Sequence, residues 1–97
     1  MYEYSARVIR WVDGDTVDLM VDLGFHMTTT QRFRLLNIDT PERGEPNYAE
    51  ARICAEKALP PGSTVTVQTV KSDKYGRWLA DIPVVREALV AGNLLKP

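Results

Sequence analysis

The sequence predicts an α+β domain, mostly β: five short strands rolled into a small Greek-key barrel, with two helices. Three observations point to it. Segments of strict apolar/polar alternation lie on both sides of a run of strong helix formers. An Asp-Gly dipeptide separates the first two such segments at the spacing of a tight hairpin. And 97 residues with 44% hydrophobic content supply one real core and too little for two, so residues 1–97 are expected to form a single domain.

Each element follows from local chemistry. Residues 4–12 are rich in β-formers and run into Asp13-Gly14, which favours a hairpin turn. In "TVDLMVDL", Val17, Leu19 and Val21 alternate with Thr16, Asp18, Met20 and Asp22, the period of a strand with one buried face. Residues 23–30, "LGFHMTTT", read as the next turn region, and residues 31–38, "QRFRLLNI", as a third strand. "RGEPN" is loop chemistry, with Pro46 too close behind Pro41 for a helix to begin at Thr40 and continue. A helix is predicted from Tyr48 or Ala49 through "YAEARICAEKAL", with a small-residue stripe at Ala51, Cys54, Ala55 and Ala58, closed by Pro60-Pro61-Gly62. "STVTVQTV" alternates as a fourth strand, "KSDKYGR" is a charged turn, and "WLADI" is a short fifth strand. Pro83 opens a second helix through Leu89 and Val90, with Asn93 as its stop. Three strands, a helix, two strands and a helix is the order of an OB-type barrel, whose first-to-second and fourth-to-fifth loops commonly bind nucleic acids or sugars.

Composition excludes several classes. A formal charge of −1 and a pI near 5.8 lack the basic footprint of a domain living by tight, non-specific nucleic-acid binding, so any polyanion site is local. One cysteine, Cys54, forbids an internal disulfide, and Cys54 with the lone His26 cannot make a zinc quartet. Cys54 reads as a packed helix residue and His26 as a loop residue. Trp11 and Trp78 read as core or barrel-rim residues. The N-terminal "MYEYSARVIRW" has no signal-peptide core, and no apolar run nears membrane-span length, so a cytoplasmic location is expected.

The chemistry concentrates around "NIDTPER", residues 37–43. In an antiparallel meander the first turn and the end of the third strand lie at the same edge, so Asp15 and Asp39 are expected to converge. Two carboxylates with a neighbouring carbonyl make a hard-oxygen site suited to calcium or magnesium. Taken singly, Asp13 and Asp15 are better explained as turn formers, and Asp39 as a strand end satisfying backbone donors. An arginine on a barrel wall such as Arg34 is more often solvated or ion-paired than catalytic, and Arg77 equally suits an exposed turn charge. Two guanidinium groups near a divalent cation would nevertheless match a phosphodiester, whose oxygens fit the arginine fork and gain charge in the transition state. Glu42 is then the candidate to activate water.

"VDGDTVDL", "RFRLLNIDTPE" and "KSDKYGRWLADI", in that order, with "EALV" in the last helix, resemble the staphylococcal nuclease (thermonuclease) family over nearly the whole chain. That resemblance implies an OB-fold calcium-dependent nuclease that hydrolyses DNA and RNA with little base preference and leaves 3′-phosphate ends. Magnesium or manganese are alternative metals. It implies Asp15 and Asp39 as metal ligands with the Thr40 backbone carbonyl, Asp13 as a carboxylate just behind them, and Glu42 as general base. Arg34 and Arg77 correspond to the phosphate clamps, Lys74 and Tyr75 to positions that hold a nucleotide phosphate. Three departures stand out: a shorter segment between the fifth strand and the last helix, an end at Pro97, and "RGEPN" in place of a long basic loop. Weaker, more salt-sensitive binding is expected from them. The rival expectation is a nuclease-like domain acting as a nucleic-acid or protein binding module. A monomer is expected, and a phage or mobile-element origin fits the short form.

Overall fold

Twelve prolines and glycines would break a short chain into fragments were they scattered; the described ones fall between the elements or at their ends, and five strands close on themselves in the computed structural model, which describes residues 2–71 and 78–96. The strands are β1 (Tyr2–Asp13), β2 (Thr16–Gly24), β3 (Met27–Leu35), β4 (Thr64–Lys71) and β5 (Trp78–Asp81); the helices are α1 (Tyr48–Ala58) and α2 (Pro83–Ala91). Around the barrel the order is β1-β2-β3-β5-β4, with β4 returning to β1. All neighbours are antiparallel except β3 and β5. This is the OB-like α+β fold expected.

The alternation carries directly into the core. Val17, Leu19 and Val21 of β2 are buried against Ala6, Val8 and Trp11 of β1, Phe33 and Leu35 of β3, and Val67 and Ala80 from the far wall. On the outer face, Asp18 sits between Arg10 at 3.1 Å and Arg32 at 2.9 Å. The hydrogen bond from Arg32, assisted by Arg10, holds the Asp18 carboxyl below its ordinary value against the opposing effect of partial burial.

Three expectations about boundaries are corrected. The first hairpin turn is Gly14-Asp15, not Asp13-Gly14, because Asp13 still pairs with Thr16. The second hairpin needs only Phe25 and His26, whose φ values of 54° and 61° reverse the chain, so Met27 to Thr30 belong to β3 and not to a turn. Their β-branched threonines suit a strand. β3 ends at Leu35 rather than Ile38, since Asn37 adopts a φ of 58° and turns the chain away.

The helices close one end. α1 buries Ala51 and Ala55, two of its four small-stripe residues, with Cys54 and Ala58 packed at the edge of the core. It follows Asn47, which takes a left-handed φ of 68°. At its other end the indole N–H of Trp11 donates to the Leu59 carbonyl at 2.9 Å, which places Trp11 in the core. α2 starts at Pro83 and buries Val85 and Leu89. It runs one residue beyond Val90, and Asn93, at a φ of 54°, follows its end as the left-handed stop expected. No helix among the described residues is long and apolar enough to cross a membrane.

Candidate active site

The β1–β2 turn and the end of β3 are stitched together by backbone. The Leu35 N–H donates to the Asp15 carbonyl at 2.8 Å, which sets the turn beside the chain leaving β3. Gly14 permits a second closure. Its φ is not left-handed, but a Cβ there would lie 2.9 Å from Ala51 Cβ and 3.1 Å from Thr40 Cγ2. The absent side chain therefore lets α1 and the Thr40 segment press onto the turn.

Asp15 and Asp39 share one cation already present in the chain. Arg34 Nη2 donates to Asp39 Oδ1 at 2.8 Å and lies 3.5 Å from Asp15 Oδ2. Both contacts use the same nitrogen, so Nε and Nη1 are not engaged by these two carboxylates. Asp15 is only 7% exposed and accepts two further hydrogen bonds, from the Thr40 N–H at 3.2 Å and the Thr16 hydroxyl at 3.2 Å. A buried carboxylate with donors on both oxygens is held in one orientation.

The set also has room for a hard cation in chemical terms. Its protein donors are oxygens, and Thr40 Oγ1 is buried beside Asp15 with no hydrogen-bond partner among the described residues. Such an orphaned polar atom costs free energy unless a ligand, ion or water satisfies it. No cluster of three or more His, Cys, Asp or Glu side chains suited to a metal occurs among the described residues. Any cation here would therefore rest on two carboxylates, backbone oxygen and water.

Other residues named from sequence fall in different places. Asp13 lies behind the turn, where the Tyr48 hydroxyl approaches its Oδ1 at 2.7 Å and the Val12 carbonyl at 3.1 Å. Glu42 stands three residues past Asp39 on the same loop, with its side chain 78% exposed and Lys96 Nζ 3.8 Å from its Oε1. Lys74, Tyr75 and Arg77 lie outside the described residues.

Two participants escaped sequence reasoning. The Glu42 N–H donates to Glu45 Oε1 at 2.6 Å, and the Glu45 N–H returns to the Glu42 carbonyl at 2.9 Å. Lys96 then straps this loop: its backbone N–H donates to the Asp39 carbonyl at 2.7 Å, and its Nζ is 3.4 Å from Glu45 Oε1. The Glu42 N–H, with Lys96 second, holds the Glu45 carboxyl below its ordinary value, and Glu45 in turn raises that of Lys96. For Glu45, an acid three residues after another in a loop was the available signal. Lys96 had none, because it meets the loop only through the fold.

Comparison with known proteins adds a separate line. The family model described as staphylococcal nuclease homologue matches residues 32–97. A protein described as an uncharacterized endonuclease from Escherichia coli O157:H7 is 38% identical over 80 residues, which is 82% of this chain and 48% of that protein. The micrococcal nuclease of Shigella flexneri is 36% identical over 78 residues, 79% of this chain and 41% of its own length. Protein ParB of Escherichia coli is 33% identical over 85 residues, covering 88% of this chain and 45% of that protein. The chain thus spans about half the length of the curated relatives it matches.

Proposed function

Because the chain belongs to the staphylococcal nuclease family, we propose that it is a calcium-dependent nuclease hydrolysing phosphodiester bonds of DNA, with RNA as a second substrate, and leaving 3′-phosphate ends. The observation that carries this reading is the convergence of Asp15 and Asp39 on a single nitrogen of Arg34. That arrangement combines a site for positive charge with a guanidinium whose other N–H groups are available to phosphate oxygens.

Asp15, Asp39 and the Thr40 carbonyl would hold calcium, with magnesium or manganese as alternatives, and a cation bound there supplies Lewis acidity to the phosphoryl oxygens. Arg34 orients the phosphodiester and meets the charge that grows on its non-bridging oxygens, with Arg77 as the second clamp. Asp13, bound to Tyr48, fixes the turn that carries Asp15. Lys74 and Tyr75 are assigned to a neighbouring nucleotide phosphate. Glu42 accepts a proton from the attacking water as its oxygen bonds to phosphorus. The bond from phosphorus to the 5′ oxygen breaks, the departing oxygen takes a proton from solvent, and the phosphate stays on the 3′ oxygen.

Magnitudes require the set to act together. A general base typically supplies about a hundred- to ten-thousandfold, roughly 3 to 5 kcal/mol, whereas phosphate-ester hydrolysis needs well over about 10 kcal/mol. Orientation and electrostatic stabilisation must carry the remainder. Glu42→Gln should therefore lower turnover on single-stranded DNA by at least about a hundredfold with the melting temperature unchanged. Near-normal turnover in that variant refutes the general-base role, and calcium-independent binding without any cleavage by the native chain would favour the binding module.

A further inference from the structure

Among the strands and helices, α1 packs on β1 and α2, and it leaves a third side to solvent. At about 100° per residue, Glu50, Ile53, Cys54 and Lys57 share an arc of roughly 100° on that side. With Ala58 and Ala88 of α2 they line a shallow groove of about 520 Å³. The groove is apolar at its centre and charged at its ends. Ile53 is exposed, as is Val84 one turn before Ala88 on α2. Glu50 and Lys57 stand two helical turns apart with opposite charge, and neither has an ion pair among the described residues. Arg52 and Glu56, 2.8 Å apart, neutralise one another on the other side of the helix.

A face that runs acid, apolar, base along one helix is complementary to itself in antiparallel order. A two-fold axis passing between Ile53 and Cys54 sets Glu50 of each copy against Lys57 of the other, so both charge pairs form at once. Parallel order would instead oppose like charges. The same axis brings Ile53 to Ile53 and Cys54 to Cys54. With helix axes about 9 Å apart and a Cα radius of about 2.3 Å, the two Cys54 Cα atoms stand roughly 6 Å apart, within the span of a disulfide. We propose that the α1 face bearing Glu50, Ile53, Cys54 and Lys57 docks on the same face of a second copy of this chain, in antiparallel order about a two-fold axis. This departs from the monomer expected from sequence, and it does not rest on the nuclease reading, since Ala51, the α1 residue against Gly14, lies on the buried side of the helix. One 11-residue helix presents less than the roughly 800 Å² per partner of a standard interface, so the dimer is a transient one that forms at high protein concentration.

The test is sedimentation equilibrium of the intact chain over a concentration series reaching the millimolar range. The average mass of the native chain should rise above 10.9 kDa as concentration increases. Glu50→Lys turns both charge pairs into repulsions and should weaken association at least about tenfold; Lys57→Glu makes the same test from the other end, should the first variant not fold. Combining Glu50→Lys with Lys57→Glu restores opposite charges across the axis and should recover the native association. Diamide, which takes the two thiol hydrogens as the sulfurs join, should link native copies through Cys54 and link Glu50→Lys at least about tenfold more slowly at equal concentration. A chain that stays monomeric throughout overturns the interface. So does association that ignores the single changes or is not recovered by the double one. A dimer that diamide does not link through Cys54 has its axis elsewhere and overturns it as well.

Discussion

Gly14 shows how one position serves two constraints. In the sequence it reads as a turn glycine, yet it holds no left-handed φ, and its absent Cβ instead makes room for Ala51 and Thr40. Gly14→Ala would meet backbone and a short, rigid side chain on α1, neither of which can swing aside. It should cost about 1–3 kcal/mol in denaturant melts and disturb the Thr40 N–H bond to Asp15; an unchanged midpoint would show that the contact relaxes freely. The two flanking aspartates divide the same way. Asp13 and Asp15 are chemically identical and two residues apart, but the one-residue slip of the turn sends Asp13 to Tyr48 and Asp15 to Arg34 and Thr40. Local turn propensity could not distinguish these fates, because both registers place an acceptable residue at each turn position.

At the scale of elements, the segment from Asp39 to Asn47 has no regular structure, so its order depends on side chains. Glu45 is the hub, bonded to the Glu42 N–H and paired with Lys96. Its carboxyl is depressed by the fold, so the contribution of this contact is fully present above the ordinary glutamate value and is lost as pH falls through the depressed one. The Glu42 amide proton should therefore titrate in NMR with a midpoint below the usual glutamate range. In Lys96→Met the midpoint should rise part of the way back, since the bond from the Glu42 N–H remains. A midpoint at the ordinary value in the native chain would mean that the loop is not held by Glu45. The helices were the most legible elements, since Pro83, Asn93 and the alanine stripe act within a turn or two of themselves. The β2–β3 hairpin was the least, because nothing local announces that Phe25 and His26 will both accept a left-handed φ.

For the whole molecule, the closed barrel brings Lys96, from the far end of the sequence, onto the loop that begins at Asp39. If Asp15 and Asp39 hold a cation, binding to the folded state alone must stabilise it, by about 2.7 kcal/mol at a hundredfold excess over Kd. Calcium should raise the melting temperature of the native chain by several degrees and leave that of Asp39→Asn, an exposed side chain, unmoved. No rise in the native chain would count against a metal site independently of any activity. By itself the sequence determined the number and order of strands and helices, the buried face of β2, and the pairing of Asp15 with Asp39 across the meander, because periodicity, turn chemistry and antiparallel return are short-range properties. Only the tertiary structure decided that Arg34 bridges those carboxylates, that Gly14 is a packing glycine, and that Lys96 straps the Glu42 loop. Each of these depends on groups distant in the chain meeting at one point, and the closure of the barrel, which no local pattern encodes, is what brings them there.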